Sequence, residues 1–64
     1  MSIEQYEIVD ESEGDELHLV LKQGERYVAA AVVHSAAGLA ALRGMTIDAM
    51  KADLRRFLEE RIPR

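Results

Sequence analysis

The sequence contains no cysteine among its 64 residues and only one proline. Without cysteine it has neither a disulfide framework nor a thiolate metal site, which are the usual supports of very small secreted folds. Residues 1–5 also lack the basic and apolar regions of a secretory signal peptide. We therefore expect a protein of the reducing cytoplasm.

Positive charge is absent from the first quarter of the chain. Residues 1–16 carry seven carboxylates and no Lys or Arg, so their charge is −7. Residues 17–64 carry five carboxylates and eight Lys or Arg, so their charge is +3. An acidic surface repels phosphate backbones and attracts basic proteins. We therefore expect no direct binding of nucleic acid through this part of the chain.

No apolar run is long enough to span a membrane. The longest uncharged segment, 27–42, has 16 residues and contains His34, Ser35 and Gly38, whereas a spanning helix needs about 20 apolar residues. The 48% hydrophobic and 31% charged content is that of a folded protein. We expect a single domain, 1–64, whose small size limits its core and favours oligomerisation.

Alternating apolar residues predict two strands joined by a hairpin. The segment 3–10 places Tyr6 and Ile8 on one face, and the segment 16–24 repeats the alternation with leucine. Gly14, between the two segments, can supply the turn. The inner face of the second strand is formed by Leu17, Leu19 and Leu21.

A turn at 23–26 leads to a third strand that is apolar on both faces. One face carries Tyr27, Ala29, Ala31 and Val33, and the other carries Val28, Ala30, Val32 and His34. A strand that is apolar on both faces is covered on both faces, and one long helix can cover only one of them. We therefore expect a homodimer through the uncovered face of the sheet, with the interface residues Val20, Val28 and Val32.

The segment 36–43 leaves a short helix and a short strand as alternatives. Ser35 is a good N-cap, Ala and Leu are strong helix formers, and Gly44 can close a helix in the left-handed conformation. Gly38 weakens such a helix, and residues 39–42 could instead form a short strand. Local preferences favour the helix slightly.

The C-terminal segment predicts a long amphipathic helix. Thr46 can serve as its N-cap, Asp48 lies in its first turn, and Pro63 would end it. Its apolar residues recur at helical spacing: Ile47, Met50, Leu54, Phe57, Leu58 and Ile62. The expected fold is α+β, with a three-stranded antiparallel sheet, a short helix or strand at 36–43, and a long C-terminal helix packed on one face of the sheet.

No residue pattern reaches the specificity of a catalytic or metal site. His34 and Ser35 are the only adjacent pair that could act as a catalytic base and nucleophile. Because neighbouring residues on a strand point to opposite faces, their side chains are not expected to contact each other. His18 and His34 could approach each other and bind a metal with a carboxylate, although a solvent-facing imidazole is the commoner case. The EF-hand, phosphate-loop and dinucleotide patterns are not matched. We expect no enzyme activity, no catalytic residue, no metal and no cofactor.

The most concentrated charge lies in the run 10–16, which reads Asp-Glu-Ser-Glu-Gly-Asp-Glu. A hairpin turn needs little more than Gly14 and a polar neighbour, so the carboxylates require a separate explanation. They are either merely solvated or complementary to a basic partner surface, where they would speed association. The second interpretation predicts a partner-binding site made of Asp10, Glu11, Glu13, Asp15 and Glu16.

The order of elements over about residues 17–60 resembles the HicB-like antitoxin domain. The resemblance is carried by Tyr27-Val28-Ala29, a loop that ends at Gly38, and the run from Gly44 to Ala49 that opens a helix. The family's loop proline is absent, Met45 stands at an acidic position, and no C-terminal DNA-binding region follows. The resemblance implies an oligomeric sheet-and-helix domain that binds and blocks a small toxin ribonuclease, and it implies a strand at 39–42.

We therefore predict a non-enzymatic acidic protein that binds and inhibits a basic protein partner, as an antitoxin binds its ribonuclease. The partner would be a nuclease or a nucleic-acid-binding protein, and neither nucleic acid nor a membrane is expected to bind directly. Two alternatives remain open. One is a phage-type inhibitor of a nucleic-acid-binding complex, such as an anti-CRISPR protein, and the other is an oligomeric structural or assembly module.

Overall fold

The computed structural model describes residues 5–63, which form a three-stranded antiparallel sheet and two helices. The elements are β1 Tyr6–Asp10, β2 Leu17–Gln23, β3 Arg26–Val33, α1 Ala36–Arg43 and α2 Ile47–Glu59. The sheet order is β1-β2-β3, so β2 is central and β1 and β3 are its edges. The α+β class, the antiparallel sheet and the long C-terminal helix packed on the sheet are confirmed. Residues 3 and 4, predicted as part of the first strand, lie outside the described residues.

The core lies between the leucine face of β2 and helix α2. Leu19 and Leu21 are fully buried and pack in one cluster with Leu58 of α2. Leu17 belongs to a second cluster that includes Met50, one turn into the same helix. Burial of each such side chain stabilises the fold by roughly 2 kcal/mol, so these contacts fix α2 on one face of the sheet.

Helix α2 begins as the sequence predicts. Oγ1 of Thr46 accepts a hydrogen bond from the backbone N–H of Ala49 at 3.0 Å, which satisfies one amide of the first turn. The helix ends at Glu59, before Pro63, so the proline is not what terminates it. Within the predicted apolar stripe, Phe57 is 44% exposed, and it therefore lies at the border of the buried face.

The segment 36–43 is helical, so the helix alternative is confirmed and residues 39–42 do not form a strand. Gly44 closes α1 with φ +66°, and its N–H bonds to the carbonyls of Ala40 and Ala41. Ser35 occupies the predicted N-cap position, but its side chain makes no capping hydrogen bond. Ser35 has φ +54°, whereas a side-chain N-cap takes extended backbone angles.

A bulge in β3 determines the face that Tyr27 occupies. Leu21 pairs with Ala29 but Lys22 pairs with Tyr27, so Val28 is an additional residue in the strand. Tyr27 therefore lies on the face of Lys22, whose Nζ is 5.3 Å from the centroid of the tyrosine ring. The predicted placement of Tyr27 with Ala29 is wrong, because alternation with period two fails at a bulge.

The face of the sheet opposite α2 is not covered by either helix, and we call it the open face. Its apolar and aromatic residues are Val9, Val20, Tyr27, Val28, Ala30 and Val32. Within residues 5–63, no helix is long and apolar enough to cross a membrane.

Candidate functional site

The five carboxylates predicted as a partner-binding site lie at one end of the sheet, and we call residues 10–16 the acidic turn. At its tip, Glu13 and Glu16 exchange two backbone hydrogen bonds of 3.0 Å. Gly14 between them has φ +58°. A type II′ turn requires a positive φ at its first central position, and glycine adopts it without a steric penalty.

Further hydrogen bonds fix the base of the acidic turn. The backbone N–H of His18 donates to Oγ of Ser12 at 3.0 Å. The N–H of Glu11 donates to the carbonyl of His18 at 2.7 Å. The turn therefore continues the β1–β2 pairing toward its tip.

Asp10 is bound by groups of the same chain. Its Oδ1 accepts the backbone N–H of Ser12 at 2.9 Å, and its Oδ2 lies 2.9 Å from Nζ of Lys51 on α2. Hydrogen bonds from Ser12, followed by that from Lys51, hold the pKa of the Asp10 carboxyl well below its usual range. Asp10 is therefore ionised at neutral pH and links the acidic turn to α2.

Asp15 caps helix α1 from a distant part of the chain. Its backbone carbonyl accepts the N–H of Ala36 and its Oδ1 accepts the N–H of Ala37, both at 2.8 Å. These N–H groups have no partner within the helix, and the helix dipole also favours a carboxylate at this end. No local sequence signal indicates the cap, because 22 residues separate Asp15 from Ala37.

Glu16 contacts His34 at the end of β3. Its Oε2 lies 3.0 Å from Nδ1 of the imidazole, and the two side chains are 46% and 77% exposed. A contact this exposed contributes little to stability, because water competes for both groups. His34 thus faces a carboxylate, and the pairing with Ser35 considered from the sequence is not the contact that the structure shows.

Glu11 and Glu13 are the carboxylates that the fold uses least. Oε2 of Glu11 accepts a hydrogen bond from the hydroxyl of Tyr27 at 3.4 Å, a long and therefore weak hydrogen bond. Among residues 5–63, the side chain of Glu13 has no hydrogen-bond or ion-pair partner. Both residues are exposed. The other three carboxylates of the acidic turn are engaged within the fold: Asp10, Asp15 and Glu16.

The three valines predicted as an oligomer interface differ in exposure. Val20 is only 1% exposed within a single chain; it lies on the central strand between Val9 and Ala30. Val28 and Val32, on the edge strand β3, are 40% and 45% exposed. The accessible apolar surface of the open face therefore lies along β3.

The two imidazoles that were considered as metal ligands have different neighbours. His18 lies opposite Val32 on β3, whereas His34 follows the end of that strand and contacts Glu16. Within residues 5–63, no group of three His, Asp or Glu side chains is placed to hold a metal ion.

Comparison of the chain with protein-family models, with curated proteins and with solved structures finds no match. Its function is therefore inferred from its residues and their geometry.

Proposed function

We propose that this protein binds and inhibits a basic protein partner through the acidic turn. The proposal is carried by one observation: the backbone of the turn is paired by its own hydrogen bonds while Glu11 and Glu13 stay exposed. A surface that is fixed before binding loses little conformational entropy when the partner docks. These two exposed carboxylates can accept hydrogen bonds from arginine or lysine of a partner.

The charge distribution supports a basic partner. Charge-assisted hydrogen bonds from arginine or lysine to carboxylates are stronger than neutral ones, and long-range attraction raises the rate of encounter. Within the acidic turn, Lys51 neutralises only Asp10. The other basic residues of this part of the chain lie later along α2 or after its end, away from the Asp10 contact: Arg55, Arg56 and Arg61.

Proteins that act on nucleic acid are the partner class that fits such a surface, because their substrate is a polyanion. Within this class, we propose a small toxin ribonuclease from the sequence resemblance to the HicB-like antitoxin domain, from which this fold departs at 39–42, a helix instead of the implied strand. Binding would then block the surface on which the ribonuclease holds RNA. In this proposal the protein acts in the cytoplasm, is not an enzyme and needs no cofactor.

The test changes the two carboxylates of the acidic turn that the fold uses least. A double variant, Glu11→Gln with Glu13→Gln, removes two charges from the acidic turn. The matched control, Glu59→Gln with Glu60→Gln, removes two charges from the exposed end of α2. Wild type and both variants are used to recover proteins from the source cell, and the nuclease activity of the recovered protein is measured with each of them.

We expect the wild type and the α2 control to recover the same basic protein and to suppress its nuclease activity. The turn variant should bind that protein about tenfold more weakly, which corresponds to about 1.4 kcal/mol of binding free energy. If the turn variant recovers and inhibits the protein as well as the wild type does, the acidic turn is not the binding site.

A second candidate, an oligomeric structural or assembly module, is favoured by the exposed valines of the edge strand β3. Val28 and Val32 together offer apolar surface that a second subunit could cover. The two candidates differ in the state of the purified protein. A closed assembly larger than a dimer, formed without any other protein, would favour the assembly module over the inhibitor.

A further inference from the structure

Strand β3 is an edge of the sheet, and in the described part of the chain it pairs with β2 alone. It is eight residues long, contains no proline and no charged residue after Arg26, and exposes Tyr27, Val28 and Val32. Free strand edges pair readily with other strands, and natural sheets protect them with charge, proline or a covering segment. After β3 the chain turns toward Asp15, on the side of the β1–β2 connection, so α1 leaves this edge open.

The other edge of the sheet is protected by charge. Strand β1 has five residues, and they include Glu7 and Asp10. Two β1 strands brought side by side would place carboxylates of like sign close together, which disfavours pairing. Of the two edges, β3 is therefore the one available to another strand.

We infer that two copies of this chain form a homodimer by antiparallel pairing of their β3 strands about a two-fold axis at Ala30. In such an interface every contact occurs twice. With Ala30 opposite itself, Val28 of each copy lies opposite Val32 of the other, so the exposed valines cover each other. Small residues at 29–31 let the two backbones approach, and the bulge at Val28 lies outside this central stretch.

The two valines of each strand set the register, since the bulge at Val28 interrupts the regular pairing toward Arg26. A shift by one residue would separate the valine pairs, so the sequence of β3 favours one register.

The dimer has a defined consequence for the acidic turns. Pairing of the two β3 edges extends the sheet to six strands, and the antiparallel arrangement points the two acidic turns in opposite directions. An eight-residue strand is about 26 Å long, so two partners could bind one dimer without contact between them. The dimer does not depend on the proposed function, because Glu11 and Glu13 take no part in the interface.

Two variants with the same type of change test this interface. Val32→Lys places a charge on the β3 edge, and Leu42→Lys places one at an 84% exposed position on α1. Sedimentation equilibrium is run at about 100 μM protein, because small interfaces are weak. Wild type and Leu42→Lys should show twice the chain mass of 7.2 kDa, and Val32→Lys should be monomeric with an unchanged circular dichroism spectrum. A monomeric wild type, or a dimer that Val32→Lys leaves intact, would overturn the inference.

Single-cysteine variants test the register, since the chain has no cysteine of its own. Only a residue on the two-fold axis lies next to its own copy, and a disulfide needs Cα atoms within about 7 Å. Under mild oxidation, Ala30→Cys should form a covalent dimer about tenfold faster than Val28→Cys, whose copies lie roughly 13 Å apart. Equal rates, or faster reaction of Val28→Cys, would also overturn the inference.

Discussion

The carboxylate of Asp15, in the turn between β1 and β2, accepts the backbone N–H of Ala37, in the first turn of α1, at 2.8 Å. This contact joins two segments that are 22 residues apart. The ion pair of Asp10 with Lys51 makes a second connection, from the acidic turn to α2. The acidic turn is therefore attached to both helices, and part of its charge serves the fold.

Replacement of Asp15 by alanine removes the side-chain cap of α1. We expect the free energy of unfolding to fall by about 1 kcal/mol, the usual value of a capping side chain. The matched variant Glu13→Ala, at the tip of the same turn, should change it by less than about 0.5 kcal/mol. Urea denaturation monitored by circular dichroism measures both, and equal midpoints would contradict the capping role.

The pairing of Asp10 predicts a loss of stability in acid. Its pKa in the folded protein lies below the ordinary value of 3.8, so at low pH the unfolded chain binds more protons than the folded one. The stabilisation is present above pH 3.8 and is lost as the pH falls further, toward the folded pKa. Urea denaturation between neutral pH and pH 2 should therefore show a steeper decline for wild type than for Asp10→Asn.

Lys51→Gln provides the control for this pH effect. It removes the second cause of the low pKa of Asp10 and keeps the first, the hydrogen bonds from Ser12. We expect a decline intermediate between those of wild type and Asp10→Asn. If all three proteins lose stability in parallel as the pH falls, Asp10 is not bound as the structure shows.

Two glycines should respond in opposite ways to replacement by alanine. Gly14 has φ +58°, and nothing lies within 4 Å of a Cβ added there. Gly14→Ala should therefore lower the free energy of unfolding by about 1 kcal/mol, through the backbone conformation alone. Gly38 lies inside α1, also with open space around it. There alanine should stabilise the protein by about 1 kcal/mol. Thermal unfolding of the two variants checks this, and a shift of the same sign for both would be inconsistent with the turn and the helix.

Adjacent residues of α2 should differ sharply in their contribution to stability. Leu58 is fully buried in the cluster with Leu19 and Leu21, whereas Phe57 is 44% exposed and stacks on Arg61. Leu58→Ala should lower the free energy of unfolding by about 3 kcal/mol, which includes the cost of the cavity. Phe57→Ala should cost about 1 kcal/mol. A larger loss for Phe57→Ala, measured by urea denaturation, would mean that α2 packs through a different face.

Residue patterns predict the elements of this fold well where the signal is local. Leucine alternation identifies β2, and Gly44 and Thr46 mark the end of α1 and the start of α2. The exact face of Tyr27 could not be predicted, because nothing in the sequence marks the bulge at Val28. The alternation of apolar residues therefore places Tyr27 on the wrong face of the sheet.

The site is harder to predict, because its contacts are long-range. The charge of the run 10–16 is visible in the sequence. Which of its carboxylates bind other parts of the fold and which stay exposed depends on residues far away in the chain. Lys51 is 41 residues from Asp10, and Ala37 has no side chain that could indicate its bond to Asp15. Ser35, the expected cap of α1, has the suitable side chain but the wrong backbone conformation.

The decisive measurement is the salt dependence of binding between this protein and the basic partner proposed for it, once that partner is recovered. Affinity is measured for wild type and for the Glu11→Gln, Glu13→Gln double variant at low and at high salt. We predict that wild-type binding weakens as salt rises, and that the variant binds more weakly at low salt and depends less on salt. Equal affinity and equal salt dependence for the two proteins would contradict recognition through the acidic turn.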